Sequence, residues 1–353
     1  MSPPGCPKGE CRSAQHEGLP TIPPRRHWLR WALGATAGSA LATSAQASQA
    51  RADLVWRERA LLGFGTTLWL RAAHADAALV DRALDAAVAE LRHIERQMSL
   101  FDADSALSRL NRDGVLPRPD PALVAVLQLA QQVSARSGGA FDATVQPLWA
   151  AWQHAHAQRR KPTPAELAAA RALVDWRAVA VSAQAVRLGR TGMALTLNGI
   201  AQGFAAERAR ALLQAHGIGH ALLDTGEWAP IGQAPDGQPW RLGLASPRDS
   251  ARILASLRAD GRGLAVSSDA MLRFGTDPAD DRDHHILDPH TGRSPPHLSA
   301  VVVAARSTAL ADALTKVLFM GTAAQALTLA RQWGVDVVAV DKAGRLHASP
   351  GWG

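Results

Sequence analysis

A chain of 353 residues, 47% hydrophobic and 20% charged, is long enough for a full core and leaves room for one large or two smaller domains. The formal charge is +7, and beyond residue 47 the arginines are spread along the chain with no extended basic block. That argues against a nucleic-acid module and for a solvated, arginine-biased surface. The two cysteines, Cys6 and Cys11, both lie near the start, which excludes a disulfide framework, a thiolate metal site or a cysteine nucleophile downstream.

The first fifty residues differ from the rest. Arg25-Arg26-His27-Trp28-Leu29-Arg30 precedes a mild apolar run from Trp31 to Ala42, then small residues, with Ala45-Gln46-Ala47 as a cleavage site. This is the order of a secretory signal. The paired arginines and weak apolar run predict the twin-arginine route and a periplasmic mature protein. The run of about twelve residues is too short to cross about 30 Å of hydrocarbon, so no stable membrane span is expected after cleavage. Residues 1–50 are therefore assigned to signal and linker and residues 55–350 to the folded domain. Cleavage after Ala47 removes five basic and two acidic residues, leaving 33 − 29 = +4.

Leu61 to Leu70 alternates and is rich in aromatic and β-branched residues, which predicts an early strand. From Asp76 to Gln97 the apolar residues Val80, Leu84, Ala87, Leu91 and Ile94 keep helical spacing, which predicts an amphipathic helix. Asp104 or Ser105 can cap a short helix ended by Gly114, and Pro121 to Ser137 predicts another, stopped by Gly138-Gly139. Gly139 to Trp149 is a compact loop with an aromatic anchor, in which Asp142 is placed to cap the turn at Thr144. A charged excursion then leads into a helix from Pro164 to Leu173. Trp176 to Gly189 and Ala194 to Leu197 are predicted as the strands of a hairpin. Asn198 to Gly203 is either a plain strand-to-helix turn or a phosphate cradle, because it feeds a helix, Phe204 to His216, with free N–H groups at its start.

Strands are predicted at His220–Asp224, Trp240–Ser246, Gly263–Ser267, Val335–Val340 and Arg345–Ser349. Asp312 follows the apolar run Val301 to Ala305 and opens a helical pattern, sharing a face with Thr315 and Lys316. A carboxylate in a first helical turn is favoured by the helix dipole alone. Its company adds to that: His284-His285 and the turn Asp288-Pro289-His290-Thr291-Gly292 bring the oxygen and imidazole groups that hard cations and phosphates require. Antiparallel-looking strands alternating with helices predict an α+β fold.

Several segments together resemble the ApbE family, the FAD:protein FMN transferases. They are Gly63-Phe64-Gly65-Thr66, Met98-Ser99-Leu100-Phe101 with Asp104-Ser105, Gly139 to Val145, and Leu197 to Gly203. Asp224-Thr225-Gly226-Glu227, Ser268, His285 to Gly292 and Ala311-Asp312-Ala313-Leu314 follow in order, so the resemblance spans about residues 60–340. It implies a T-fold-related architecture of mixed sheets packed with helices. It also implies cleavage of FAD with Mg2+ and attachment of FMN to a Thr or Ser of an acceptor flavoprotein or a redox membrane-complex subunit. By the same resemblance His285 is the base, and Phe64, Phe101, Ala140, Phe141, Asp142, Thr196, Gln202 and Ile286 contact the flavin nucleotide. Gly199, through its carbonyl, and Asp312 would hold the metal ion, with Asp312 also counted as catalytic.

The chain departs from the family pattern at chemically telling places. Gln202 stands for a lysine, Glu227 and Asp269 for glycines, and Lys316 for a hydroxyl four residues after Asp312. Two arrangements follow: Thr315 supplies the hydroxyl, or the Lys316 ammonium takes the metal's place beside the phosphates. Two other functions compete with transfer, a periplasmic FAD-binding protein supporting a redox partner and a metal-dependent FAD pyrophosphatase.

Overall fold

The computed structural model describes residues 29–31, 54–275 and 282–352. The strands in chain order are β1 (Leu29–Trp31), β2 (Val55–Gly63), β3 (Thr66–His74), β4 (Val115–Pro117), β5 (Val179–Val181), β6 (Ala185–Leu188) and β7 (His220–Asp224). They continue as β8 (Trp228–Ile231), β9 (Arg241–Ala245), β10 (Ile253–Arg258), β11 (Gly263–Ser268), β12 (Leu298–Ala305), β13 (Asp336–Asp341) and β14 (Leu346–Ala348). The helices are α1 (Ala77–Met98), α2 (Ala106–Asp113), α3 (Pro121–Arg136), α4 (Gln146–Ala157), α5 (Pro164–Arg171), α6 (Ala201–Ala215), α7 (Thr308–Phe319) and α8 (Ala323–Trp333).

One eight-stranded sheet runs β14-β13-β12-β11-β8-β7-β3-β2, with every neighbouring pair antiparallel. The α+β class follows from that sheet and the helices laid on it. Because side chains alternate across a strand, β12 divides its residues between two cores. Val301 and Val303 point to the helical side with β13 residues Val337 and Ala339, whereas Ala300, Val302 and Ala304 meet Trp228, Trp240 and Leu242. Cover on both faces explains why β12 is an unbroken apolar run, and each fully buried Val or Leu contributes about 1.5–3 kcal/mol. The second face is closed by the small sheet β1-β9-β10.

The export segment predicted over residues 1–50 lies outside the described residues except for β1, whose backbone pairs antiparallel with β9. Loss of the chain before Ala47 would leave β9 as that sheet's edge. Among the described residues no helix is long and apolar enough to cross a membrane.

Four local expectations are corrected. The early strand is a hairpin: Leu61 to Leu70 contains the turn Phe64-Gly65 between β2 and β3. Ala194 to Leu197 is not a strand, because its backbone bonds go elsewhere. Asn111 Nδ2 donates to the Leu195 carbonyl (2.8 Å), its Oδ1 accepts from Leu195 N–H (2.7 Å), and Thr196 N–H donates to the Ala143 carbonyl (2.8 Å). The real hairpin is β5-β6, inside Trp176–Gly189. Asp312 does not open its helix: α7 begins at Thr308 with Ser307 as its cap, which places Asp312 in the second turn. Strands β4, β8 and β10 are additions that the sequence patterns did not signal.

Candidate active site

One cleft gathers residues from several separated stretches of the chain. It is bounded by the β2-β3 turn, the loop after α1, the Ala140–Ala143 loop, the start of α6, the ends of β8 and β11, and one side of α7. Phe64, Phe101, Ala140, Phe141, Asp142, Thr196, Gly199, Gln202, His285 and Ile286 all line it. Asp312 is not among the lining residues; Lys316 is, and Asp312 lies buried behind it.

The cleft's aromatic end is built at a backbone cost. Phe64 and Gly65 both take positive φ, 51° and 73°, as a two-residue hairpin turn requires. For a phenylalanine the left-handed region costs about 1–2 kcal/mol. Its N–H donates to Glu95 Oε1 (2.7 Å), and Arg92 links Glu95 Oε2 (2.9 Å) to the Leu62 carbonyl, so helix α1 holds the turn in place. Glu95 had no sequence signal beyond a helical position. Phe101, half exposed, sits against Gly65 across the cleft mouth.

Asp142 caps the 3-10 turn Ala143–Val145, as expected. One oxygen accepts from Thr144 N–H and Oγ1 (2.8 and 2.7 Å) and the other from Trp176 N–H (3.1 Å), so this carboxylate shapes the loop. Burial pushes its pKa up against those bonds. Gln202 is likewise a clamp: its Nε2 donates to the Thr225 carbonyl (3.0 Å) and its backbone carbonyl accepts from Thr225 Oγ1 (3.1 Å). His285 Nδ1 lies 3.3 Å from the Leu272 carbonyl. A carbonyl only accepts, so a hydrogen bond at this contact assigns a proton to Nδ1.

Asp312 joins two helices. Its Oδ2 accepts from Gly203 N–H (3.1 Å) in the uncapped first turn of α6, and Lys316 Nζ donates to its Oδ1 (2.5 Å) and to its carbonyl oxygen (3.2 Å). Thr315 is turned away: its hydroxyl bonds Ser267 Oγ (2.7 Å) and donates to the Asp312 carbonyl (2.6 Å). The lysine stem also covers Gly199, since a Cβ there would lie 3.2 Å from Lys316 Cε. A magnesium ion does not fit this arrangement. It needs near-octahedral oxygen donors, and here the carboxylate expected to hold it is bonded to an ammonium group and a backbone N–H. Among the described residues no group of three or more His, Cys, Asp or Glu is arranged to hold a metal ion.

Behind Ser268, Asp269 is fully buried and bonded by both Arg248 nitrogens (2.7 and 2.8 Å) and by Lys342 (2.7 Å). Burial raises its pKa, but the two cations outweigh it and the net shift is downward. A lowered folded-state pKa means stability present above the ordinary carboxylate value and lost as pH falls through the folded one. Asp269→Asn is therefore expected to cost about 2 kcal/mol at neutral pH, with the gap to wild type narrowing below about pH 4. Urea unfolding at both pH values checks this; a gap that stays constant would refute the charge assignment.

The family model for ApbE matches residues 64–339. The chain belongs to the ApbE family. Among ApbE relatives, the FAD:protein FMN transferase of Treponema pallidum is 31% identical over 320 residues, covering 83% of this chain and 86% of that protein. The enzyme of the same name from Salmonella typhimurium is 29% identical over 259 residues, covering 70% and 73%. The ApbE protein of Thermotoga maritima superposes with a TM-score of 0.76 at 22% identity, over 84% of this chain and 98% of that one. The apo flavinyl transferase ApbE of Pseudomonas stutzeri gives 0.73 at 26% identity, over 84% and 95%.

Proposed function

We propose that this ApbE-family chain is an FAD:protein FMN transferase working on the periplasmic side, where Arg25-Arg26 and the following apolar run would direct it. The observation that carries the proposal is the convergence of Phe64, Phe101, Thr196, Gln202, His285 and Ile286 on one cleft with the start of α6. An aromatic end suits the isoalloxazine ring, and a helix start beside a cation suits the diphosphate.

The reaction balances with the groups present. The acceptor's Ser or Thr oxygen attacks the FMN-side phosphorus of FAD, and the bond from that phosphorus to the bridging oxygen breaks. AMP leaves with that oxygen, and the hydroxyl proton passes to His285 Nε2. Magnesium, which the resemblance calls for, is given no donor set by the Lys316–Asp312 pair, so no step is routed through it. The acceptor is a protein presenting an accessible Ser or Thr, a flavoprotein or a redox-complex subunit.

Intact-mass spectrometry of a threonine-bearing acceptor with FAD and this protein is the direct test. An FMN-sized increase with AMP release supports transfer. AMP release with an unmodified acceptor supports a pyrophosphatase, and bound FAD without AMP supports a flavin-binding protein. The aromatic end has its own test. Phe101→Ala is expected to weaken FAD binding about tenfold, the scale of one lost stacking contact. Because Phe101 is 51% exposed, thermal unfolding should stay within about 0.5 kcal/mol of wild type. Unchanged flavin-fluorescence quenching would remove Phe101 from the site.

A further inference from the structure

We propose that the Lys316 ammonium is the diphosphate-neutralising cation of the cleft, a tethered charge that makes FAD binding and cleavage independent of a divalent ion. The inference rests on the FAD reading above and deepens it.

Among the described residues lining the cleft, Lys316 is the one Lys or Arg, facing a lining that also holds the Asp142 and Glu227 carboxylates. A diphosphate carries two negative charges and needs a cation there. Gln202 offers none, since its amide is spent on Thr225.

The lysine is held in place from three sides. Asp312 fixes Nζ through its carboxylate and its carbonyl, and the stem packs over the Gly199 backbone at the entry to α6. An ammonium has three protons. Two go to Asp312, which leaves the third for a cleft ligand, and the side chain keeps 20% of its surface exposed. Asp312 itself is fully buried, with its other oxygen on Gly203 N–H, so it positions the ammonium and does not touch the nucleotide. The alternative in which Thr315 presents a hydroxyl is closed, because that hydroxyl bonds Ser267 and the Asp312 carbonyl.

The test titrates FAD into the full chain with the threonine-bearing acceptor present, followed by flavin fluorescence and by AMP release, in excess EDTA and in excess MgCl2. Wild type is expected to bind with dissociation constants within about twofold of each other. Lys316→Met should weaken binding about tenfold in both buffers, the scale of one charge-assisted hydrogen bond. Lys316→Thr should weaken it in EDTA and regain it with MgCl2. Circular dichroism confirms that each variant is folded, and the wild-type comparison needs no variant at all. A gain of about tenfold for wild type on adding MgCl2, or a folded Lys316→Met that binds like wild type, overturns this inference and leaves the FAD reading standing. No FAD binding in either buffer overturns the FAD reading itself. Ion-independent, Lys316-dependent binding without AMP release keeps the cation assignment and overturns only the transfer step.

Discussion

His285→Gln is expected to slow FMN transfer by about 10²–10⁴-fold while leaving FAD affinity within a few fold. The size follows from the loss of a positioned base, about 3–5 kcal/mol of barrier. Glutamine keeps a side-chain N–H that can still donate to the Leu272 carbonyl, and the backbone bond from residue 285 to that same carbonyl (3.0 Å) is untouched. What it lacks is a lone pair on a basic nitrogen. The expected split is therefore a fall in kcat with little change in KM for FAD, which marks an interaction made during reaction and not in binding. Stopped assays of AMP release against acceptor labelling, with fluorescence titration of FAD, read both numbers. A variant that transfers at the wild-type rate would remove His285 as the base, and one that loses FAD binding equally would make it a binding residue instead.

The residues of this cleft lie as far apart in the chain as Phe64 and Lys316, and what the sequence made legible was their types more than their geometry. The β12 run is readable because burial on both faces leaves no polar positions to interrupt it. Helices α1 and α3 are readable because Asp76 and Asp120 cap them and their apolar residues keep helical spacing. The turn at Phe64-Gly65 was hidden because phenylalanine is a poor residue for positive φ, and its support comes from Glu95, thirty-one residues away. Ala194–Leu197 has the composition of a strand, but the Asn111 side chain, eighty-four residues from Leu195, takes its donor and acceptor. Such pairings leave no local trace.

The choice between Thr315 and Lys316 shows the same limit more sharply. Sequence spacing allowed either, since both share a face with Asp312. Register decided it. With Ser307 as the cap, α7 is buried on ten of its twelve residues and Thr315 falls against Ser267 of β11. Only Lys316 is long enough to pass Gly199 and reach the cleft.

Gly203→Ala is expected to be among the most damaging single-methyl changes in the chain. A Cβ at 203 would lie 2.4 Å from the Thr308 carbonyl oxygen and 2.7 Å from Asp312 Cβ, so helices α6 and α7 must separate to admit it. Backbone cannot rotate aside as a side chain can, which sets the cost near the top of the overpacking range, about 3 kcal/mol. That corresponds to roughly 5 °C in Tm for a domain of this size. The separation also lengthens the Gly203 N–H bond to Asp312 and with it moves the Lys316 anchor, so FAD affinity should fall even well below Tm. Gly219→Ala makes the same chemical change where nothing lies within 4 Å and φ is not positive. There the smaller entropy of the unfolded chain makes the substitution neutral or slightly stabilising. If both variants melted alike, the loss at 203 would be a general effect of removing glycine. A drop confined to Gly203→Ala, in Tm and in FAD affinity together, ties the stability of the α6–α7 contact to the placement of the cation in the cleft.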